Sequence, residues 1–265
     1  MTTRMRTRHR RGWTAFLLLA GLTTTPAIAG SSPFPDGAGA IEEFDNLLVL
    51  PAAEDAAERL VFGDMRGFLH VLERAGDAYE EVWTSEYMEG AIHALFVGDV
   101  DDHPRDRLVV ITDSGRIHYL DLDTYRTVWS LPPSEYERIT CALMANVDDD
   151  HQPEILLCAD GSLVIYDAAA QFEEWVSDEA GIEATDLLIG DVDGDGAEEI
   201  VLNSGYVFDA KFRDMEWQSP ETFGDHMGLL DVDNDGIPEL IGEYSGRYIK
   251  IFDIDLRREK SLVGD

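Results

Sequence analysis

Gly190-Asp191-Val192-Asp193-Gly194-Asp195-Gly196-Ala197-Glu198-Glu199 decides the fold of this chain. One apolar run, Asp186 to Ile189, leads into it and another, Ile200 to Leu202, leads out, so the acidic residues sit on a loop between two strands. The phrase recurs at Gly98-Asp99-Val100-Asp101, Asn146-Val147-Asp148-Asp149-Asp150 and Asp231-Val232-Asp233-Asn234-Asp235-Gly236. Recurrence every 40 to 47 residues marks an array of equal units, each burying its apolar face against the next.

With the loops aligned, the rest of each unit falls into register. Strands such as Ala94 to Val97 and Ala142 to Ala145 precede the loops, and Leu108 to Ile111 and Ile155 to Leu157 follow them. A turn, Asp113-Ser114-Gly115 or Asp160-Gly161, then leads to an alternating third strand such as Ser162-Leu163-Val164-Ile165-Tyr166-Asp167. Tryptophan marks the fourth. Trp83, Trp129, Trp175 and Trp217 share one repeat position, which predicts a common packing slot between neighbouring sheets. Four short antiparallel strands per unit are the pattern of a propeller blade, so the expected fold is an all-β propeller of about five four-stranded antiparallel blades. They fall near 44–86, 91–131, 138–178, 184–219 and 226–263. The first lacks an acidic loop, and the last has Lys260 and Ser261 where Trp and Ser would stand. Either this polar strand or the lead-in closes the ring, unless the chain is part of a larger one.

The domain reading is a secretory signal at 1–29, a lead-in at 30–43 and the propeller at 44–265. Arg4, Arg6, Arg8, Arg10 and Arg11 form a positive region, Trp13 to Leu22 an apolar one, and Ala27-Ile28-Ala29 a cleavage site. Arg10-Arg11 also resembles a twin-arginine signal, which an ordinary arginine-rich leader explains equally well. A membrane anchor is the competing reading, but no later stretch has the roughly 18 apolar residues that a transmembrane segment needs. The whole chain carries a net charge of −34, and removal of the leader leaves 15 Lys and Arg against 54 Asp and Glu, or −39. Without a basic footprint, nucleic acid and anionic membrane surfaces are poor partners, and no nucleic acid partner is expected.

Oxygen-rich residues at alternate positions suit a hard cation, and the cofactor expected is Ca2+. In the fourth blade Asp191, Asp193, Asp195 and Glu199 stand at loop positions 1, 3, 5 and 9, with Gly196 at 6 and the Ala197 carbonyl at 7. Asp231, Asp233, Asp235, Ile237 and Glu239 repeat the set in the fifth. Asn146, Asp148, Asp150, Gln152 and Glu154 form a weaker third version, with His151 at position 6. An EF-hand would need an acid at position 12 and flanking helices, whereas Leu202 and Gly242 stand there between strands. In the second blade His103 and Arg107 replace two ligands, and Arg59 matches Arg107 in the first. Either Arg takes the cation's place beside the remaining carboxylates, or both are solvated loop charges.

The D-x-D-x-D-G-x-x-[DE] loop resembles FG-GAP repeats, as in integrin alpha-subunit propellers, and the related VCBS-type repeats of secreted bacterial proteins. That resemblance implies structural calcium in the loops and ligand recognition on the opposite face. The Gly-x-Leu-x-x-x-Asp third strands and the register Trp also resemble the PQQ-type repeats of quinoprotein and outer-membrane-assembly propellers.

Cys141 and Cys158 fall opposite one another if Ala145 pairs with Glu154, which leaves a cross-strand disulfide and two buried thiols both open. No nucleophile motif, H-E-x-x-H or phosphate-cradling glycine loop appears, so no catalytic residue is named. The expected function is an exported calcium-binding propeller that acts as a protein- or glycan-binding or scaffold module. A polysaccharide-active enzyme and a periplasmic assembly scaffold are the alternatives. Tyr87, Tyr136, Phe223 and Tyr244, on the turns and links opposite the metal loops, either contact a ligand or cap the blades.

Overall fold

A computed structural model describes residues 46–52, 57–101, 105–148 and 150–260. The chain divides into two units, 1–32 and 33–265, and every described residue belongs to the second. The leader and the lead-in lie outside the described residues, as do His103 and Ser261.

The described residues form five antiparallel four-stranded sheets, each built from four consecutive strands. The first contains β1 (Leu47–Leu50), β2 (Arg59–Gly63), β3 (Leu69–Ala75) and β4 (Ala78–Thr84). The second contains β5 (Ile92–Gly98), β6 (Arg107–Thr112), β7 (Ile117–Asp121) and β8 (Thr127–Ser130). The third contains β9 (Ile139–Ala145), β10 (Glu154–Ala159), β11 (Ser162–Asp167) and β12 (Phe172–Val176). The fourth contains β13 (Leu187–Gly190), β14 (Glu199–Leu202), β15 (Tyr206–Asp209) and β16 (Met215–Gln218). The fifth contains β17 (His226–Leu230), β18 (Glu239–Tyr244), β19 (Tyr248–Asp253) and β20 (Arg258–Lys260). The polar last strand thus completes its own blade.

Second strands are buried along their whole length in blades 2, 3 and 4, as expected of a central strand covered on both faces. Fourth strands alternate between exposed and half-buried, which suits an outer edge. In blades 2 to 5 the third strand ends in Asp, because its carboxylate caps the turn that follows. Asp121 Oδ1 accepts the amide of Thr124 at 2.9 Å, Asp167 Oδ1 that of Ala170 at 2.7 Å, and Asp253 Oδ1 that of Leu256 at 2.9 Å.

Tryptophan does mark the seams. In every blade that has one it pairs with an apolar residue of the third strand: Val71 with Trp83, Tyr119 with Trp129, Ile165 with Trp175 and Val207 with Trp217. Each of the four packs against the core shared with the following blade. Trp129 lies 4.6 Å from Tyr119 and 6.4 Å from Tyr166 of blade 3, and Trp175 lies 6.0 Å from Phe208 of blade 4. Among the described residues no such core joins blade 5 to blade 1. At that register blade 5 pairs Ile251 with Lys260.

Candidate functional site

The acidic loops join the first and second strands, so they share one end of the blades with the turns between third and fourth strands. The fourth loop folds on its own side chains. Asp191 Oδ1 accepts the amide of Gly194 at 2.8 Å, Asp193 Oδ1 that of Asp195 at 3.1 Å, and Asp195 Oδ1 that of Ala197 at 2.7 Å. Positions 4 and 6 are left-handed, at φ +80 for Gly194 and +91 for Gly196, which is why glycine stands there. The fifth loop repeats the pattern with Asn234 at φ +63 and Gly236 at +99. There Asp233 Oδ1 accepts the amide of Asp235 at 3.3 Å and Asp235 Oδ1 that of Ile237 at 2.9 Å.

One oxygen of the glutamate at position 9 closes each loop. Glu154, Glu199 and Glu239 accept the position-2 amides of Val147, Val192 and Val232 through Oε2, at 2.7, 2.8 and 2.7 Å. The other oxygen is left for the loop interior. Asp191, Asp193 and Glu199 bring oxygens within 4.8 Å of one another, as do Asp231, Asp233 and Glu239 in blade 5, and Asp148, Asp150 and Glu154 in blade 3. These are three sets of hard oxygens that could hold a metal ion. Asp195 and Asp235 fall outside the triads, fixing instead the peptides at Ala197 and Ile237. In blade 3 the Asn146 amide donates to the carbonyls of Asp150 (2.8 Å) and Gln152 (3.1 Å), so the Gln152 carbonyl named as a ligand already has a partner.

The electrostatics of the loops differ. Burial first, then the neighbouring carboxylates, pushes Glu154 and Glu199 up to about 7. Glu199 is fully buried, and its Oε1 has no hydrogen-bond partner. In blade 5 the corresponding Oε1 of Glu239 accepts the Lys260 ammonium, which also lies 2.6 Å from Asp233 Oδ2. These hydrogen bonds raise Lys260 and lower Asp233. In blade 2 Arg107 is buried, with Nε 2.8 Å from Asp101 Oδ2 of the loop and Nη1 3.5 Å from Asp121 Oδ2 of β7, so there the Arg does pair with a loop carboxylate, while Asp99 Oδ1 has no hydrogen-bond partner. Arg59 departs from that expectation. It pairs with Glu73 on β3 at 3.1 Å and donates to the hydroxyl of Tyr125 in blade 2 at 3.0 Å.

Sequence reasoning missed Glu216, half-buried beside the fourth loop and raised by burial and then by Asp193. Its signal was its place just before the register Trp, shared with Glu174, which pairs with Arg213 at 3.2 Å.

The opposite end corrects the aromatic set. Phe223 is fully buried, 5.5 Å from Trp217 and 5.0 Å from Phe252, so it fills the seam between blades 4 and 5. Tyr136 is likewise buried, donating to Glu173 Oε1 at 2.9 Å. Neither presents a surface. Tyr87 is 59% exposed, and Tyr244 stacks at 5.0 Å on the exposed Tyr248, which the sequence did not single out. Cys141 and Cys158 do face each other in register with Ala145 and Glu154, and both are free, buried thiols.

No family model matches the chain, and no curated protein does. Among solved structures it is similar to BBS1N in complex with ARL6DN, at 13% identity and a TM-score of 0.56 over 82% of this chain and 67% of that one. It is also similar to Sqt1 of Saccharomyces cerevisiae, at 11% and 0.55 over 80% and 61%. The WD40 domain of Pan2 from Neurospora crassa matches at 12% and 0.52 over 82% and 64%. These neighbours are β-propellers, and identities this low show the fold alone. The chain spans about two thirds of their length. Fold and loops together define a β-propeller that carries three acidic triads able to hold a metal ion. No helix among the described residues is long and apolar enough to cross a membrane.

Proposed function

We propose that this chain is an exported, calcium-stabilised β-propeller of the FG-GAP/VCBS type that serves as a binding or scaffold module for a protein or glycan partner. The observation that carries the calcium reading is Glu199 Oε1, a fully buried carboxylate oxygen without a partner, held among Asp191 and Asp193. Such an oxygen is costly unless a cation satisfies it. Asp191, Asp193 and Glu199 are the side chains that would hold the ion, and calcium would supply structural cross-linking of the loop. Asp148, Asp150 and Glu154 would hold a second.

The binding role is supported by Tyr87 and the Tyr244–Tyr248 stack at the end opposite the loops, amphipathic groups of the kind that anchor partners. BBS1N, similar in fold, is itself seen with ARL6DN. Export rests on the leader at 1–29. The deciding experiment is calcium titration of the chelator-stripped mature protein. Binding that is reduced by one site in Asp193→Ala supports the reading, and a flat isotherm in the parent protein overturns it. For the partner, a glycan array and defined protein ligands are probed with the parent and with Tyr87→Ala/Tyr244→Ala; undiminished binding by the double variant moves the surface elsewhere.

A further inference from the structure

We propose that the fifth loop carries its own cation: the Lys260 ammonium occupies the place that a divalent ion takes in the fourth loop, so calcium enters the fifth loop only by displacing it. The proposal rests on the calcium reading of the fourth loop.

Three observations carry it. First, the two loops differ at the glutamate that closes them, although Asp231 Oδ1 of the fifth also lacks a hydrogen-bond partner. The position-9 glutamates bind the position-2 amide in the same way, but Glu199 Oε1 is orphaned whereas Glu239 Oε1 accepts Lys260. Second, the lysine comes from a place where the other four blades have tryptophan, opposite the third strand at Ile251. An indole there fills a seam with the next blade. On blade 5, where the described residues form no further seam, a long flexible stem instead lets an ammonium swing 21 and 27 residues back along the chain to Glu239 and Asp233. Third, the replacement has a precedent in the same molecule, since the Arg107 guanidinium lies 2.8 Å from Asp101 in the second loop.

The ammonium and a calcium ion are mutually exclusive there. Both require Glu239 and Asp233, and two cations sharing those oxygens would repel at contact distance. A lysine can fill the role because its charge is a compact point on a flexible stem. Lys260 therefore offsets the charge of Asp233 and Glu239 without metal, and calcium can use those oxygens only after the ammonium has left.

The test is calcium titration of the chelator-stripped full chain by calorimetry, for the parent, Lys260→Met, Lys260→Arg and Asp193→Ala. Lys260→Met is expected to gain one site, or to tighten one by at least about tenfold, which is about 1.4 kcal/mol. Lys260→Arg is expected to keep a cation in place and leave the isotherm unchanged. If Lys260→Met binds calcium as the parent does while Asp193→Ala loses a site, this proposal is overturned and the calcium reading stands. If no protein binds calcium, both fall. A readout that needs no variant is amine acetylation read by mass spectrometry. The chain has only three lysines, Lys211, Lys250 and Lys260. Lys260 should be protected until calcium far exceeds the concentration that fills the fourth loop, and then become reactive; equal reactivity at all calcium concentrations overturns the proposal.

Discussion

Arg107 stands with its Nε 2.8 Å from Asp101 Oδ2 of the second loop, at the position where Glu199 stands with an orphan oxygen in the fourth. The same loop frame therefore accepts either an internal cation or a carboxylate that calls for an external one. Arg107→Ala should cost about 3 kcal/mol, because it leaves buried carboxylate charge uncompensated. Arg107→Glu restores an acid at position 9, and the variant should melt well below the parent in chelator and recover with calcium. An Arg107→Glu variant as stable as the parent in chelator would refute this account of the loop.

Calcium should raise Tm of the parent. One site held only by the folded state adds about 2.7 kcal/mol at a hundredfold excess over Kd, or about 5 to 11 °C for a domain of this size. Asp193→Ala and Glu199→Gln should each remove one site's share, as scanning calorimetry with and without chelator would show. Superimposable scans would end the metal reading.

Without metal, stability should fall as pH rises through the neutral range. Glu154 and Glu199 sit at about 7 in the folded protein, against about 4.3 unfolded, so between those values the folded state holds more protons. Their cost grows from about pH 4.5 to about pH 7 and is constant above. Asp64 and Asp121, lowered by hydrogen bonds, work in the opposite sense in more acid solution, and His118, lowered by burial, opposes the trend below about pH 6.5, one group against the two glutamates. The chelated protein should therefore melt higher at pH 5 than at pH 7.5. Calcium should reverse that order, because it binds the ionised carboxylates. A chelated protein that melts higher at pH 7.5 contradicts the assignment.

Trp129 and Val128 are adjacent on β8 but face opposite ways, the first onto the seam with blade 3 and the second 48% exposed. Trp129→Ala should cost about 3 kcal/mol, and Val128→Ala less than about 0.5 kcal/mol. Urea melts of the two variants settle it, and similar midpoints would mean that the slot contributes little.

Cys141 and Cys158 should be unreactive to a thiol reagent in the folded protein and yield two thiols in denaturant without reductant. The hydrogen bond to Cys158, and then burial, push the Cys141 thiol up, away from the reactive thiolate. Denatured chain that yields no thiol until reduced would show a disulfide instead.

What was legible in the sequence was whatever repeats. The blade period, the Trp register and the pairing of Cys141 with Cys158 follow from counting along hairpins, because antiparallel register is fixed once one pair is known. What resisted were properties set by partners far apart in the sequence. Tyr136 and Phe223 read as exposed link residues, yet Phe223 is covered by Trp217 and Phe252, which lie on two different sheets. Lys260 read as a defect in a fourth strand, because its partners Asp233 and Glu239 lie more than 20 residues away and no local pattern joins them. Glu216 was hidden among 54 acidic residues, where one more carboxylate carries no signal.

Every sheet is made of strands that follow one another directly in the chain. Little loop-closure entropy opposes the formation of any one blade, so a hairpin can nucleate anywhere and recruit its neighbours outward. Such a molecule should fold fast for an all-β protein and lose structure piecemeal. Hydrogen exchange should find blades 2, 3 and 4, each of which shares a core with a blade on each side, the slowest to open. Blade 5, whose Ile249 and Leu230 remain in solvent, should open first.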